Sequence, residues 1–515
     1  MSVKKNIARA TAVILAFSLL GKVLGFVREM IIAAYFGTSY RTDAYFIGLT
    51  GPDFVREIIS GGVLSAVFIP VYTASLAQND HQSAKKFLNS IATLLIIALL
   101  LSIVVGIPLS PFLVRLIAPE LDAQTFTVAV RITQIIFPSI LFMGLASFYG
   151  SLLNVYKHFA MPSLAQLVLN AGIIIGVIVL GSRFGIESLA IGLLAGAFLQ
   201  FAVIIPSLWS REIGFRPEFE WSEDMKRMFS LWVPLFIASF VGTANDLVSR
   251  SLAAGLESGN IAALNFANRI RETIWLLCAV PLGTAVFPFL SSHAANNETK
   301  ELESITSFAI RLTTFMAMPL CFIMLFFSKP IIQVLFERGM FNEHSTMITA
   351  SALTFYSIGA LFYALNYVVL RVYYSVHNVF TPLKIFVAGF IVNVVSGILL
   401  RKFLLVGGIT LARSLSDAFT FAFLLFGIAA IMPRETMRKL SLYMLKTSLI
   451  ALVSILFSYL LYLALPRTSN TLLHLIQLGG AWTVASLCYL AVSYWSGISE
   501  VNSLLGVVKK KLKLS

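Results

Sequence analysis

Seven charged side chains lie in a largely apolar stretch between Ser18 and Pro70, and they are the residues best placed to bind a ligand. They are Lys22, Arg28, Glu29, Asp43, Asp53, Arg56 and Glu57. A charged side chain at membrane depth costs about 3 kcal/mol or more, so such residues usually face a wet cavity or one another. The stretch therefore predicts one wall of a ligand site.

Polar residues recur later in the chain at helical spacing. Asn265, Asn268, Arg269 and Glu272 stand at i, i+3, i+4 and i+7, and an earlier helix carries Thr243, Asp246 and Arg250. Residues three and four apart share one helix face. We expect these faces and the first wall to turn towards one cavity, to which we also assign Glu29, Glu57, Arg250, Arg271 and Arg371.

The cations of this set outnumber the acids that could face them. Lys22, Arg28, Arg56, Arg250, Arg269 and Arg271 form the cationic group. Internal ion pairs such as Arg56–Glu57 or Arg269–Glu272 can explain single residues. They do not explain the whole set, because structural pairing would give equal numbers of positive and negative charges. Arginine binds phosphate through two parallel hydrogen bonds. The cavity is therefore expected to bind an anion, and a lipid diphosphate headgroup is the natural candidate.

The composition is that of a membrane protein. Of the 515 residues 58% are hydrophobic and 12% charged, and the mean hydropathy is +0.88. At roughly twenty residues per span, the hydrophobic segments number about fourteen. The net charge of +14 indicates basic cytoplasmic loops that lie against anionic lipid. We therefore expect no nucleic-acid partner.

No pattern of catalytic or metal-binding residues stands out. Cys278, Cys321 and Cys488 lie in apolar runs, and the six histidines have no ligand spacing. The phosphate-loop pattern and a nucleophile–base arrangement are both missing. We therefore expect no enzyme activity, no cofactor and no metal.

Lysine and arginine are concentrated in alternate loops. With the N-terminus inside, the cytoplasmic connections carry Lys85, Lys86, Lys226, Arg227 and the basic C-terminal tail, whereas Arg401 and Lys402 lie on the opposite side. This bias favours a multi-pass protein of the bacterial inner membrane with both termini in the cytoplasm. No cleavable signal is expected at the N-terminus.

Two halves of the chain resemble each other at a spacing of about 220 residues. The run from Asn154 to His158, with Pro162, is echoed by the run from Tyr374 to Asn378, with Pro382. Arg56-Glu57 is likewise echoed by Arg271-Glu272. An even number of spans per half makes the repeat parallel, a design that places the substrate between the halves.

The repeat sets the expected domain organisation. It predicts an all-α protein with helices 1–6 in residues 1–209, a linker at 210–227 and helices 7–12 in residues 228–432. Helices 13–14 and the basic tail occupy 433–515. Gly51-Pro52 is expected to break or kink the second helix and to act as a hinge, because proline cannot donate the helical hydrogen bond.

The region Gly21–Pro70 resembles the opening signature of the MurJ (MviN) family of lipid II flippases, which belong to the multidrug/oligosaccharidyl-lipid/polysaccharide exporter superfamily. The resemblance rests on V-L-G-F-V-R-E, on T-D-A-Y-F, on P-D-F-V-R-E and on S-A-V-F-I-P-V. It extends through N-R-I-R-E at Asn268–Glu272 and P-L-G-T-A-V-F-P at Pro281–Pro288.

This resemblance implies a V-shaped transporter of two six-helix lobes plus two C-terminal helices. Helices one, two, seven and eight would line a cationic cavity, and the substrate would be undecaprenyl-diphosphate-linked disaccharide-pentapeptide, moved from the inner to the outer leaflet. The family's substrate-binding residues match Arg28, Arg56, Arg269, Asp43 and Glu272. Lys22 replaces an arginine, and Gly61 stands where an acid is usual.

The resemblance also raises the question of a sodium site in the second lobe. Asp246 and Asn393 match family ligands, but Gly397 and Arg413 do not, so we expect the Arg413 guanidinium to replace the ion. From spacing alone, Arg413 and Asp417 at i, i+4 form an ion pair.

The sequence thus predicts a lipid II flippase that works by alternating access, without identifying its energy source. A flippase for another undecaprenyl-linked oligosaccharide, such as a capsule, teichoic acid or spore polymer, remains an alternative. A cation-coupled drug exporter is a weaker one, because it would need an acidic cavity. We expect a monomer in contact with membrane lipid and the cell-wall synthesis machinery.

Overall fold

The computed structural model describes residues 3–77, 81–158, 160–210, 213–428, 432–466 and 471–501. Within these ranges the ordered elements are α-helices, apart from one π-helical turn at Trp275–Ala279. The all-α class is therefore confirmed. Ten helices are long and apolar enough to cross a membrane within the described residues, or eleven if one pair bent by 46° is a single span. The total of about fourteen spans stays a prediction.

The first nine helices run from the N-terminus to the middle of the chain. They are α1 (Val3–Phe36), α2 (Tyr40–Ser60), α3 (Gly62–Ala77), α4 (His81–Ile117), α5 (Ala123–Ile136), α6 (Ser139–Val155), α7 (Ala160–Phe184), α8 (Glu187–Trp209) and α9 (Glu223–Ala254).

The remaining nine follow. They are α10 (Asn260–Ile274), α11 (Val280–Ala295), α12 (Thr299–Phe326), α13 (Ser328–Phe336), α14 (Glu343–Ser375), α15 (Phe380–Leu404), α16 (Val406–Gly427), α17 (Arg434–Ala464) and α18 (Thr471–Trp495).

The element boundaries repeat at a constant offset, in agreement with the repeat seen in the sequence. Helix α2 begins at residue 40 and α10 at 260; α6 ends at 155 and α14 at 375; α7 covers 160–184 and α15 covers 380–404. Each pair is 220 positions apart. The same offset relates the N-caps Asp122 and Asn342, whose side chains accept hydrogen bonds from the first-turn amides of α5 and α14.

The connections between these helices repeat as well. Lys157 and His377 both have a positive φ, at 60° and 58°. In each case the next amide closes the turn, from His158 to the Leu153 carbonyl and from Asn378 to the Tyr373 carbonyl, at 2.8 and 3.0 Å. These are the six-to-one bonds that end a helix through a left-handed residue. The repeat is thus present in local geometry as well as in residue types.

The chain forms two compact units. The first comprises Met1–Ala262 with Arg338–Phe341, and the second comprises Ala263–Glu337 with Asn342–Ser515. Packing thus groups α9 with the helices before it. The domain boundary at 210–227 that the repeat predicts differs from this division by packing and remains a prediction.

Each unit has its own apolar centre. In the first unit α3, α4 and α6 bury a cluster of rings in which Phe68 lies 5.0 Å from Phe148 and 5.2 Å from Tyr72, measured between ring centroids. In the second unit α14 is the central helix and packs against α11, α12, α13 and α16. Burial of these faces holds the polar helices α2, α9 and α10 in place.

Candidate functional site

A pocket of about 200 Å³ opens in the first unit between α2 and α9. Its lining is Thr50, Asp53, Phe54, Arg56, Glu57, Thr243, Asp246, Leu247 and Arg250. The sequence placed four of these residues, Arg56, Glu57, Asp246 and Arg250, in the cavity or ion-site predictions and flagged Asp53 and Thr243 as polar residues of the same helix faces. Thr50, Phe54 and Leu247 were missed; Thr50 lies one helical turn before Phe54.

Arg56 is held at the pocket by carboxylates of its own helix. Its Nε donates to Asp53 Oδ1 at 2.9 Å, its Nη2 lies 2.8 Å from the same oxygen, and Nη2 donates to Glu57 Oε2 at 3.4 Å. The Arg56 side chain is 20% exposed. The guanidinium is thus fixed in place by acceptors that an incoming anion could replace.

Arg250 reaches the pocket from α9. Its Nη1 donates to the Phe46 carbonyl at 3.3 Å and to the hydroxyl of Thr50. Thr50 in turn donates to the Phe46 carbonyl at 2.7 Å, which ties both side chains to one turn of α2.

The pocket carries three carboxylates and two guanidinium groups. The acids are Asp53, Glu57 and Asp246, and the cations are Arg56 and Arg250. The cationic excess expected for the whole cavity is therefore not found in this pocket. Asp53 and Glu57 pair with Arg56 and balance its charge within the pocket.

Arg28 lies on α1 in a second polar contact of the first unit. Its Nη2 donates to Glu29 at 2.5 Å and its Nη1 to Asn170 Oδ1 of α7 at 3.0 Å. Asn170 also donates to the Gln166 carbonyl at 3.2 Å. Glu29 is buried and Lys22, further back on α1, is exposed. Nothing in the local sequence predicts the contact of Asn170 with Arg28.

Asp43 is buried at the start of α2 and caps another helix. Its two carboxylate oxygens accept hydrogen bonds from the backbone amides of Gly259 at 2.5 Å and Ala262 at 2.7 Å. A carboxylate at a helix N-terminus satisfies free amides and the helix dipole. Asp43 thus fixes the first turn of α10 in this structure, and its assignment as a substrate ligand stays a prediction.

In the second unit Arg269 and Glu272 form an exposed pair. Arg269 Nη1 donates to Glu272 Oε2 at 3.0 Å, and Asn268 Nδ2 donates to the other carboxylate oxygen at 2.9 Å. The predicted i, i+3, i+4, i+7 face therefore exists on α10. The ion pair between Arg269 and Glu272, which was the alternative explanation for these charges, is also present.

Arg271 lies in the interior of the second unit. It is 2% exposed, donates to Asp417 at 3.2 Å, and stands 4.5 Å from the ring centres of both Tyr356 and Tyr363. At the offset of 220 that the helix ends show, Arg271 corresponds to Gly51, whereas the predicted echo of Arg56-Glu57 in Arg271-Glu272 has an offset of 215. This echo is therefore out of register with the structural repeat, and Arg271 is buried whereas Arg56 opens to a pocket.

Arg413 shares the carboxylate of Asp417 with Arg271. Arg413 Nε lies 3.6 Å from Asp417 Oδ1, so the i, i+4 pair is present. Asn393 is buried in the same unit, as is Gly397, whereas Asp246 lines the pocket of the first unit. Within the described part of the chain no group of three potential metal-binding side chains is found. Replacement of an ion by Arg413 stays a prediction.

Arg371 contacts aromatic side chains of the second unit. It donates to the hydroxyl of Tyr367, and its guanidinium lies 4.5 Å from the centre of that ring and 5.7 Å from Phe287. These are cation–π distances. This environment accounts for Arg371 without a ligand, and its place in the cavity stays a prediction.

The expected interruption of the second helix occurs nine residues later than predicted. Helix α2 continues through Gly51 and Pro52 to Ser60, so the predicted break there is wrong and only a bend is compatible with the structure. The chain leaves the helix at Gly61, where an added Cβ would lie 2.4 Å from atoms of Glu57. The missing side chain at Gly61 therefore makes room for the Glu57 carboxylate, and the hinge at Gly51-Pro52 remains untested.

Long apolar helices, an internal repeat and a polar pocket within apolar helices define this chain as a polytopic transporter. The particular family follows from comparison with known proteins. A family model described as the lipid II flippase MurJ matches residues 32–478, and the chain belongs to this family.

Similar proteins agree with this assignment. Lipid II flippase MurJ of Burkholderia cenocepacia is 29% identical over 432 residues, which cover 82% of this chain and 84% of that protein. A probable lipid II flippase MurJ of Aquifex aeolicus is 30% identical over 377 residues, which cover 71% of this chain and 72% of that protein.

Solved structures extend the comparison to the fold. A lipid II flippase MurJ in an inward closed conformation superposes with a TM-score of 0.79 at 27% identity, over 94% of this chain and 98% of that one. An inward-facing multidrug resistance transporter of the MATE family has a TM-score of 0.67 at 15% identity over 82% of this chain and 98% of that one, which shows a shared fold only.

Proposed function

We propose that this chain moves lipid II, the undecaprenyl-diphosphate-linked peptidoglycan precursor, from the inner to the outer leaflet of the bacterial plasma membrane. The observation that carries the proposal within the family is the Arg56 guanidinium at the pocket. Its hydrogen bonds at 2.8 to 3.4 Å go to carboxylate oxygens. Phosphate oxygens accept from an arginine fork in the same way.

Binding of the diphosphate exchanges one set of anions for another. Diphosphate oxygens take the Arg56 donors from Asp53 and Glu57, and the displaced carboxylates turn to water. Arg28, Arg269 and the exposed Lys22 add positive charge, while Asp43 and Glu272 hold helix ends and neighbouring cations in position. The polar headgroup then crosses the membrane without losing its charge partners.

Transport requires that the substrate bias a conformational equilibrium. A ligand shifts such an equilibrium only by the difference in its affinity for the two states. We propose alternating access, in which the site opens to one leaflet and then the other while the hydrocarbon tail stays in lipid. No covalent step, cofactor or metal enters this cycle.

The protein acts as a multi-pass protein of the inner membrane, with both termini in the cytoplasm. Its ligands are an undecaprenyl-linked saccharide and the surrounding lipid. We propose that it functions as a monomer beside the cell-wall synthesis machinery. No specific observation favours the other undecaprenyl-linked oligosaccharides, or drug export, over lipid II.

Replacing Arg56 with glutamine tests the proposal. Truncating one member of a desolvated charge pair costs about 2 kcal/mol or more, which corresponds to roughly a thirtyfold loss. We therefore expect Arg56→Gln to lower the initial rate of lipid II flipping by that factor. The measurement is the accessibility of fluorescent lipid II to a membrane-impermeant quencher in proteoliposomes.

The matched control is Arg131→Gln. Arg131 pairs with Glu187 at 2.8 Å on an exposed surface of the same unit, so its loss should leave flipping unchanged. Flipping at the normal rate by folded Arg56→Gln protein would refute the proposed role of the pocket.

A further inference from the structure

The segment between α8 and α9 lies along α4 without helical or strand structure, and we call its residues 214–222 the strap. Three strap amides, two residues apart, donate hydrogen bonds to polar side chains of α4. They are Arg216 to Asn89 Oδ1 at 3.4 Å, Glu218 to Thr93 Oγ1 at 3.2 Å and Glu220 to Ser90 Oγ at 3.0 Å. The strap is thus fixed to α4 through its backbone, which leaves its side chains to make other contacts.

Side chains of opposite character alternate along the strap. The odd-numbered positions carry exposed rings, since Phe215, Phe219 and Trp221 are 45%, 59% and 52% exposed. The even-numbered positions, whose amides bond to α4, carry the charges of Arg216, Glu218 and Glu220. Successive side chains of an extended chain point to opposite faces. The strap therefore has one aromatic face and one charged face.

The side of α4 beneath the strap continues into a lipid-facing surface. Asn89, Thr93, Ile97, Leu100 and Val104 are four, four, three and four residues apart, so they share one side of the helix. Asn89 is buried, whereas the three apolar residues of this series are exposed on a helix that can cross a membrane. The strap thus covers the polar end of a face whose apolar part contacts lipid.

Distances along α4 indicate the depth of the strap. Exposed large apolar side chains of α4 begin at Ile97 and end at Leu116, a length of about 30 Å that matches a hydrocarbon core. Thr93 and Asn89 lie roughly 6 and 12 Å beyond Ile97, and the headgroup layer adds about 5 to 8 Å on each side. Irregular backbone does not occur in lipid-exposed hydrocarbon. The strap therefore runs from the headgroup layer to its aqueous edge.

The charges around the strap are largely paired. Lys86 contacts Glu220 at 3.1 Å, and Lys226 contacts Glu223 at 2.6 Å. Such pairs leave little net attraction for anionic lipid. Aromatic side chains, in contrast, are stable at the boundary between headgroups and acyl chains regardless of lipid charge. The rings are the part of the strap that can hold it to a membrane.

We propose that the strap binds the headgroup layer of the cytoplasmic leaflet through its aromatic face and so holds the start of α9 at the membrane surface. The choice of leaflet rests on the orientation proposed above, whereas the contact itself does not depend on which substrate is carried. The partner is the lipid surface, bound through rings and not through net charge. The segment that joins the two sequence repeats is thereby tied both to α4 and to lipid.

Nitroxide labels on neighbouring residues test this arrangement. In the full-length protein with Cys488→Ala, the remaining Cys278 and Cys321 are buried, so a label attaches at Phe219→Cys or at Glu220→Cys. In phosphatidylcholine vesicles each label is measured for collisions with oxygen, which concentrates in lipid, and with a water-soluble nickel chelate. We expect the oxygen-to-nickel ratio to be about threefold or more higher at position 219, because opposite faces of an interfacial segment differ by roughly 5 to 10 Å in depth.

Further positions calibrate the depth and guard against local misfolding. Val104→Cys reports on the hydrocarbon core and should give a higher ratio than Phe219→Cys. Phe215→Cys and Arg216→Cys repeat the comparison of faces at the other end of the strap, in case a label at position 219 disturbs the fold. Adding phosphatidylglycerol to the vesicles should leave all of these ratios unchanged.

Three results would overturn the proposal. Equal ratios on the two faces at both ends would place the strap in water. A ratio at Phe219→Cys equal to that at Val104→Cys would place it in hydrocarbon. A difference that arises only with phosphatidylglycerol would assign the contact to basic side chains. None of these results bears on lipid II transport, which the flipping assay measures separately.

Discussion

The carboxylate of Asp53 competes with any incoming anion for the Arg56 guanidinium. We expect Asp53→Asn, which keeps the shape and removes the charge, to raise the affinity for undecaprenyl diphosphate about twofold to fivefold. This range reflects the modest strength of a half-exposed ion pair. The measurement is equilibrium binding in nanodiscs. Glu223→Gln, which alters an exposed pair with Lys226, is the control, and weaker binding by Asp53→Asn would contradict the exchange mechanism.

Arg271 has a structural task in the interior of the second unit. It contacts Asp417 and two tyrosine rings, so Arg271→Met removes one cationic partner of a buried carboxylate that Arg413 also approaches, from further away. Breaking a buried pair costs about 3 kcal/mol or more. We expect a clear fall in the midpoint of unfolding in detergent, whereas Lys439→Met, in an exposed pair with Glu435, should cause no resolvable change. Equal midpoints for the two variants would disprove this role.

Side-chain chemistry was predictable where the pattern was local. Charges within apolar helices identified Arg56, Arg250 and Asp246, which the structure brings to one pocket. The partners across the chain were not predictable. Asp43 contacts amides near residue 260, and Asn170 contacts Arg28 of α1. Such contacts depend on how helices pack and leave no trace in local spacing.

Among the connections between helices, Leu405 is the strained copy of a glycine. Gly185 and Leu405 occupy the same place in the repeat, with φ of 54° and 51°, and the ψ of Leu405 is −128°. A side chain in this region costs about 1 to 3 kcal/mol, and the exposed Leu405 side chain gains little from burial. We expect Leu405→Gly to stabilise the protein by roughly 1 kcal/mol.

The reverse substitution supplies the control. An added Cβ at Gly185 meets nothing within 4 Å, so any loss of stability in Gly185→Leu comes from the backbone alone. Unfolding midpoints of both variants are compared with the parent protein. A destabilised Leu405→Gly variant would show that the leucine side chain matters more than its backbone strain.

The second helix shows where element prediction from sequence was wrong. Pro52 removes one helical hydrogen bond, yet α2 continues because the residues around it, Gly51 and Thr50 among them, are buried against neighbouring helices. The exit at Gly61 was not foreseen, although Ser60-Gly61-Gly62 contains the Ser-Gly and Gly-Gly pairs that mark turns.

For the whole molecule, the distribution of lysine and arginine predicts the orientation in the membrane. We expect a fluorescent protein fused to the C-terminus to fluoresce, and alkaline phosphatase fused there to be inactive, because the terminus faces the cytoplasm. Alkaline phosphatase inserted after Pro119, in the loop between α4 and α5, should be active. Phosphatase activity at the C-terminus would reverse the assignment.

The architecture was largely predictable because it depends on patterns that persist over long stretches. Hydropathy predicted the all-α membrane fold, and the echo of Pro162 in Pro382 predicted the repeat. Which helices pack against one another could not be predicted from the sequence. The assignment of α9 to the first unit depends on its contacts with α2, α3 and α4, which no periodicity within α9 specifies.

The constant offset of 220 has a consequence for how the molecule has changed over time. Between residues 40 and 184, the start of α2, the N-cap of α5, the end of α6 with its turn, and both ends of α7 match their counterparts at an offset of 220. Since the ancestral duplication, the matched turns have therefore kept the same spacing, and neither half has a net insertion or deletion relative to the other between them. Surface connections ordinarily tolerate such changes. Their fixed lengths here imply that even the turns work as measured spacers between moving helices.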